Sequence, residues 1–420
     1  MLADPHRPPP DLGRMRRLVD VLGHPERSAP VIHVTGTNGK TSTARCLTSL
    51  LTAKGLRVGT FTSPHLERVN ERIAADGEPI PDDELAGLLS DLATLEPLLG
   101  EGVRLSWFEV LTGAAFRWFA DRPVDVVVLE VGLGGRWDAT NVADASVAVV
   151  TNVGLDHLEF LGPTRADVAS EKAGVVKEGA TLVLGEREPS LRPIFERQNP
   201  AALWLSGDHY DCPRNDLAVG GRTLDLRTPG AVYEGVWLDL HGRHQGENFA
   251  AALAGAEAFF GSPVDDRLVR EAAATVRSPG RLEIVGRDPL VVLDGAKNLE
   301  GAARAAAAVA EEFGAAASEI LVVGMLRGKD PVEMLRALGA GRARLVVACS
   351  PPSPRAQPAP VVAAAAASLG VATAVAESVA EALDLAFGRA GPGDLVLVTG
   401  SLYTVGAARA ALAVESRPAR

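Results

Sequence analysis

The sequence predicts an α/β chain of two doubly wound units, with a small β lobe attached to the first. Three observations predict it. Short, nearly continuous apolar strands alternate with amphipathic helices in two separate runs, as buried parallel sheets require. Residues 201–240 interrupt that alternation with short segments and turn signals (SGDHYDCPRND, VGGRT, RTPGAVYEG), the pattern of a hairpin lobe. The 420 residues give room for two or three domains and a large core.

In the first run, strands are expected at 31–34, 58–61, 124–131, 146–151 and 181–184, and helices at 41–54, 82–94, 107–120, 164–177 and 246–260. The second run follows SPGR at 278–281. It offers strands at 291–293, 320–323, 345–348, 372–375 and 395–398, with helices at 299–313, 330–338, 357–369, 378–389 and 404–414. Strand and helix signals resume after the Pro-rich stretch 350–360, which therefore reads as a loop inside the second unit. We place the boundary at Gly280, giving units 1–280 and 281–420.

Composition narrows the function classes. Hydrophobic residues at 47% and charged residues at 23% exclude a mostly disordered chain. A net charge of −11 argues against nucleic acid or an anionic membrane as partner. The start, MLADPHRPPPDL, lacks the apolar core of a secretory signal. The Ala-rich run Val361–Ala376 is too short and too weakly apolar for a membrane span. Cys46, Cys212 and Cys349 are scattered and odd in number, which points to a reducing, cytoplasmic setting.

The strongest local signal is VIHVTGTNGKTSTARCLTSLLTAKG, 31–55. An apolar strand runs into Thr37-Asn38-Gly39-Lys40-Thr41-Ser42, and an amphipathic helix follows. Glycines let backbone N–H groups approach phosphate oxygens, and the helix N-terminus adds positive dipole. Lys40 suits the β and γ phosphates of ATP, and Thr41 or Ser42 can offer a hydroxyl to Mg²⁺. Val34 stands where the usual P-loop has its first Gly. The glycines of GLGGR, 132–136, precede WDATN rather than a helix, so dinucleotide binding is not supported there.

Only six of the 42 basic residues are lysines: Lys40, Lys54, Lys172, Lys177, Lys297 and Lys329. Lysine is a compact charge that can lose its proton, which arginine cannot. Lys54 and Lys177 read as solvated helix ends; the other four fall in motifs.

HVTGTNGKTS (33–42), FTSPHLERVNERI (61–73), SWFE (106–109), LEVGLGGRWDATN (129–141), TNVGLDH (151–157), SEKAGVVK (170–177), GRHQGENFAAAL (242–253), SPGRLE (278–283), DGAKN (294–298) and TGSLYTVGAAR (399–409) follow one another along nearly the whole chain. In these stretches the sequence resembles the folylpolyglutamate synthase/dihydrofolate synthase family of Mur-type ligases. The resemblance implies a P-loop-type Mur ligase ATPase domain with a parallel central sheet and a small β lobe, plus a smaller Rossmann-like C-terminal domain. It implies ATP- and Mg²⁺-dependent ligation of L-glutamate to dihydropteroate or a reduced folate through an acyl phosphate, by a monomer.

The resemblance also implies roles. Glu130, at the end of its strand, would hold Mg²⁺ with Ser63, His157 and the Thr41 hydroxyl, and Lys172 matches a lysine carbamylated in the family. Lys40, Lys172, His157 and Glu130 form the catalytic set. Asn248, Arg281 and Asp294 join the loop residues at ATP. Ser106, Trp107, Phe108 and Glu109 would face Trp137, Asp138 and Ala139 across the pterin, and Lys297 and Ser401 would meet substrate from the second unit. Two departures stand out. Lys297 and Leu299 replace the family's His and Pro in DGAHNP, and Arg327-Gly328-Lys329-Asp330 keeps only part of a DKD motif. They leave open a Mur-type ligase for a different amine or acid. A catalytically inactive ATP-binding module is the other alternative.

Overall fold

The computed structural model describes residues 12–415. The readings made on residues 1–11 and on the last five positions lie outside them. The first unit is built on β1 (Val31–Thr35), β2 (Val58–Phe61), β3 (Ile73–Ala75), β4 (Glu78–Pro79), β5 (Val126–Glu130), β6 (Ala145–Val150), β7 (Thr181–Leu184) and β8 (Ala202–Leu205). They form one sheet in the order β4-β3-β2-β5-β1-β6-β7-β8. The β3–β4 hairpin joins antiparallel, and the remaining strands pair in parallel. β1 and β5 are buried along their whole length, so both faces must be covered.

Helices Lys40–Ala53 and Arg243–Phe260 cover one face, packing Leu47, Leu50, Phe249 and Leu253 against Ile32, Val128 and Val149. Helices Gly13–Val21 and Trp107–Asp121 cover part of the other with Leu18, Phe116 and Phe119. Gly59 of β2 permits this approach: a Cβ there would stand 2.8 Å from the Phe119 ring. A three-stranded antiparallel lobe, β9 (Asp211–Ala218), β10 (Gly221–Arg227) and β11 (Val232–Leu238), packs Leu224, Tyr233 and Val236 into the first core.

The second unit holds β12 (Glu283–Arg287), β13 (Leu290–Leu293), β14 (Glu319–Val323), β15 (Leu345–Ala348), β16 (Thr373–Val375) and β17 (Leu395–Thr399) in the order β12-β13-β17-β14-β15-β16. Only β12 runs antiparallel. Its five expected strands and five expected helices are all present within a few residues of their expected ends.

Three expectations change. The segment expected to begin the hairpin lobe supplies β8, which pairs in parallel with β7; alternation alone does not tell an edge strand of the main sheet from a lobe strand. The helix expected over 164–177 ends at Ala173. Gly174 sits where a Cβ would lie 2.5 Å from that of Arg136, and its carbonyl accepts from Asn141 Nδ2 at 3.0 Å. Lys177 is not a free helix end: its Nζ donates to the Asn141 carbonyl at 3.0 Å and faces Asp144 at 3.6 Å. The three cysteines are unpaired, and no helix among the described residues is long and apolar enough to cross a membrane.

Candidate active site

β1, running into the helix Lys40–Ala53, makes the phosphate loop. Gly39 caps that helix at φ +84°, and a Cβ there would stand 2.4 Å from Asn248 Oδ1. A Cβ on Gly36 would stand 1.8 Å from Thr151 Oγ1. The loop is therefore pressed against two neighbours and tolerates only glycine at these points. No side chain caps the helix, so its first N–H groups are left to a ligand in the cleft.

Lys40 Nζ folds back over the loop, donating to the carbonyls of Gly36 (2.9 Å) and Thr37 (3.3 Å). Burial lowers its pKa, opposed by the charge of Glu130. Glu130 closes β5 at 1% exposure. Its Oε1 accepts from Thr41 Oγ1 at 2.8 Å and its Oε2 from the Ser63 amide at 3.0 Å. Burial pushes its pKa up, against the pull of Lys40 and of these hydrogen bonds. Thr41, not Ser42, turns its hydroxyl to this carboxylate; Ser42 instead pairs with Ser278 Oγ at 3.0 Å.

Opposite stand Arg281, Asp294 and Lys297 of the second unit, with His244, Gln245 and Asn248 at the head of their helix. Asp294 is buried and accepts from the amides of Leu282 (3.1 Å) and Ala296 (2.9 Å), which fixes the turn carrying Lys297. Asn248 Nδ2 donates to Gln245 Oε1 at 2.9 Å.

Thr37 to Ser42, Ser63, Glu130, Asn248, Arg281, Asp294 and Lys297 thus line one interlobe cleft. His157 and Ser401 line a second cavity that meets the first at Pro64, Lys297 and Leu402. This cavity is rich in cations: Lys297, Arg327, Lys329 and Arg355 stand against Asp156 and Glu159. Lys297 is pushed down to about 8 by burial, then by Lys40 and other cations. Lys172 lines neither cavity. It is 3% exposed, and its pKa falls well below the ordinary value through burial and the nearness of Lys40 and Lys297. Both causes favour the uncharged form of the amine.

The donor set fits a hard divalent ion. Glu130 is a buried carboxylate beside two hydroxyl-bearing residues, Thr41 and Ser63, at the mouth of the phosphate loop. Among the described residues no group of three or more His, Cys, Asp and Glu converges. A metal here would therefore complete its shell with hydroxyls, phosphate oxygens and water, as Mg²⁺ does beside a nucleotide.

The expected pterin walls divide between exposed aromatics and internal supports. Trp107 and Trp137 are 56% and 45% exposed. Phe108 packs on Phe61, and a Cβ on Gly132 would stand 2.5 Å from its ring. Ser106 and Glu109 close a capping box (Glu109 Oε2 accepts the Ser106 amide at 2.7 Å), and Arg14 pairs with Glu109 at 3.0 Å. Asp138 is buried, holding the Leu133 amide at 2.9 Å and Thr140, and Ala139 is buried beside it. The Ser401 hydroxyl accepts the Thr404 amide at 3.1 Å. Asp156 and Asn298, which join the two units, were not singled out from the sequence, although Asp156 lies in TNVGLDH and Asn298 ends DGAKN.

A phosphate loop facing a second α/β unit across an interlobe cleft defines an ATP-dependent ligase of the Mur fold. The Mur ligase middle domain matches residues 111–256, and the Mur ligase glutamate ligase domain matches 280–402. The dihydrofolate synthase/folylpolyglutamate synthase of Mycobacterium tuberculosis is 38% identical, over 95% of this chain and 89% of that one. A solved M. tuberculosis folylpolyglutamate synthase, complexed with ADP and AMPPCP, superposes with a TM-score of 0.91 at 38% identity, over 98% and 96% of the chains. A bifunctional folylpolyglutamate synthase/dihydrofolate synthase solved with Mn, AMPPNP and L-glutamate bound gives 0.84 at 29% identity, over 97% and 95%. The chain belongs to the dihydrofolate synthase/folylpolyglutamate synthase family.

Proposed function

We propose that this chain joins L-glutamate to the carboxylate of dihydropteroate or of a reduced folate, using ATP with Mg²⁺. One observation carries the reading. Lys40, Thr41 and Glu130 face Arg281, Asp294 and Lys297 across one cleft, and Lys297 opens that cleft onto a cavity lined by four cations. The loop amides, Lys40 and Arg281 suit a triphosphate in the first space, and the four cations suit a dicarboxylic amino acid in the second.

The chemistry follows from the groups present. The loop amides and Lys40 hold the triphosphate, and Arg281 neutralises charge on the transferring phosphoryl. Glu130, with the Thr41 and Ser63 hydroxyls, would hold Mg²⁺, which supplies charge neutralisation at the phosphates. His157, expected to share that ion with Glu130 and Ser63, lines the neighbouring cavity with Lys297 rather than the cleft itself. The carboxylate attacks the γ-phosphorus and expels ADP, and the amine of glutamate then displaces phosphate from the acyl carbon and gives up a proton. Lys297, Arg327, Lys329 and Arg355 suit the glutamate carboxylates. Trp107 and Trp137 offer flat surface for a pterin.

Burial, which favours the uncharged amine of Lys172, suits carbamylation: the amine can add CO₂ and lose a proton to give a carbamate anion near Lys40 and Lys297. One copy of the chain supplies both cleft walls, which supports a monomer with units at 1–280 and 281–420, and the unpaired cysteines support a cytoplasmic setting. The deciding experiment is phosphate release with dihydropteroate, then tetrahydrofolate, each with L-glutamate and with other amino acids. Release that ignores glutamate, or that no pterin acid stimulates, refutes the reading.

A further inference from the structure

Asn298 and Asp156, to which no role has been given, centre a buried polar cluster that ties the two units together at the phosphate loop. Asn298 opens the helix Leu299–Glu312 of the second unit and is 4% exposed. Its Oδ1 accepts the Gly301 amide at 2.8 Å, capping that helix. Its Nδ2 donates across the interface twice, to Asn38 Oδ1 and to Asp156 Oδ2, each at 3.1 Å. Asp156 is also buried, and its Oδ1 accepts from Lys329 Nζ at 2.7 Å, a second bond to the second unit.

On the first unit the cluster runs straight into the phosphate loop. Asn38 belongs to that loop. Its amide donates to Asn152 Oδ1 at 3.0 Å, and its carbonyl accepts from Thr151 Oγ1 at 2.6 Å and Asn152 Nδ2 at 3.0 Å. Thr37 Oγ1 and Gly154 exchange two further bonds, at 2.9 and 3.1 Å. The loop that holds the triphosphate, the segment 151–156 and the second unit are thus one connected network, which Asn298 closes at both Asn38 and Asp156, beside Lys329 at Asp156 and Glu300 at Asn38 (3.3 Å).

We propose that Asn298 and Asp156 are positioning residues that couple docking of the second unit to the phosphate loop, so that the activated acid meets the amine and not water. The competing reactions are simple to balance. Attack of the glutamate nitrogen on the acyl carbon forms the amide, expels phosphate and releases the amine proton. Attack of water at the same carbon returns the free acid and phosphate, a net hydrolysis of ATP to ADP and phosphate. A docked second unit presents glutamate and excludes water; an undocked one leaves hydrolysis.

The test separates this role from helix capping. Asn298→Asp keeps the Oδ1 cap but replaces the amide donor with a carboxylate aimed at Asn38 Oδ1 and Asp156 Oδ2. With dihydropteroate, MgATP and L-glutamate, we expect the glutamate KM to rise about 10- to 100-fold, the loss of a buried hydrogen bond to a charged group. We also expect several ADP released per amide formed, against near one for the wild type, and a smaller change in the ATP KM. The double variant Asn298→Asp/Asp156→Asn restores a donor–acceptor pair in reverse and should recover much of the coupling. Glu247→Ala removes only an exposed interlobe ion pair with Arg304 and should leave the ratio unchanged.

Wild-type coupling and glutamate KM in Asn298→Asp overturn the proposal. So does a double variant no better coupled than the single. The proposal rests on the ligase reading above, and the two fail differently: a wild-type chain that makes no glutamyl product sinks that reading, whereas a productive wild type beside an unchanged Asn298→Asp sinks only this one.

Discussion

Glu130→Gln probes the centre of the cleft with almost no change in shape. The wild-type carboxylate accepts one hydrogen bond on each oxygen, from Thr41 and from Ser63. The glutamine oxygen can keep the Ser63 amide, and its NH₂ can donate to the Thr41 hydroxyl, which turns to accept. Exchanging charge-assisted bonds for neutral ones costs about 1 kcal/mol. Burial raises the native pKa above 4.5, so the native state binds more protons than the unfolded chain. This group therefore lowers stability as pH rises through that raised pKa, and a tenfold difference in proton affinity between the two states corresponds to about 1.4 kcal/mol. Neutralising it returns the lost stability at pH 8 and nothing below pH 4.5.

In metal-free buffer the variant should therefore melt at or above the wild type at pH 8, with the advantage lost toward pH 4. Its turnover with saturating MgATP should fall at least about 10²-fold, the scale for removing one group that stabilises developing charge. Thermal melts at the two pH values and an ADP-release assay read both quantities. Turnover within tenfold of wild type, or a melting deficit that grows with pH, would refute the reasoning.

Other perturbations follow from the same geometry. Lys172→Ala should lose turnover about 10²-fold, and short carboxylic acids should restore part of it; an absence of rescue removes the support for a carbamate. Lys297, at about 8, loses its charge as pH rises past that value, so the glutamate KM should climb about tenfold for each pH increment of one above 8. Lys297→Arg should flatten that rise, and coincident KM profiles would count against a carboxylate contact. Arg222 is fully buried and pairs with Glu311 and Glu312 of the second unit. Arg222→Ala should destabilise the chain by about 3 kcal/mol in urea unfolding, because Glu312 stays buried with only His241 and the Gly242 amide as partners.

Much of the site was legible because it lies in continuous segments. A strand, a glycine turn and a helix in sequence already make a phosphate loop, since backbone geometry over eight residues is local. The strand-end position of Glu130 was equally readable, because parallel strands are written as apolar runs with a defined end. Periodicity also gave the second unit, where short strands and alanine-rich helices alternate without interruption. It failed at β8 and at Gly174, where the deciding contacts come from β7 and Arg136.

Sequence by itself determined the two α/β runs, the loop from Thr37 to Ser42 and the family motifs, all properties of residues near one another in the chain. Only the tertiary structure decided that Thr41 rather than Ser42 faces Glu130, that Lys172 is buried near two other lysines, and that His157 opens on a cavity next to the nucleotide cleft. It alone gave Asn298 its bonds to Asn38 and Asp156, 260 and 142 positions away. The reason is physical: hydrogen bonding and desolvation act over a few ångströms of space, and a residue's neighbours in space are fixed by how the two sheets and their helices pack.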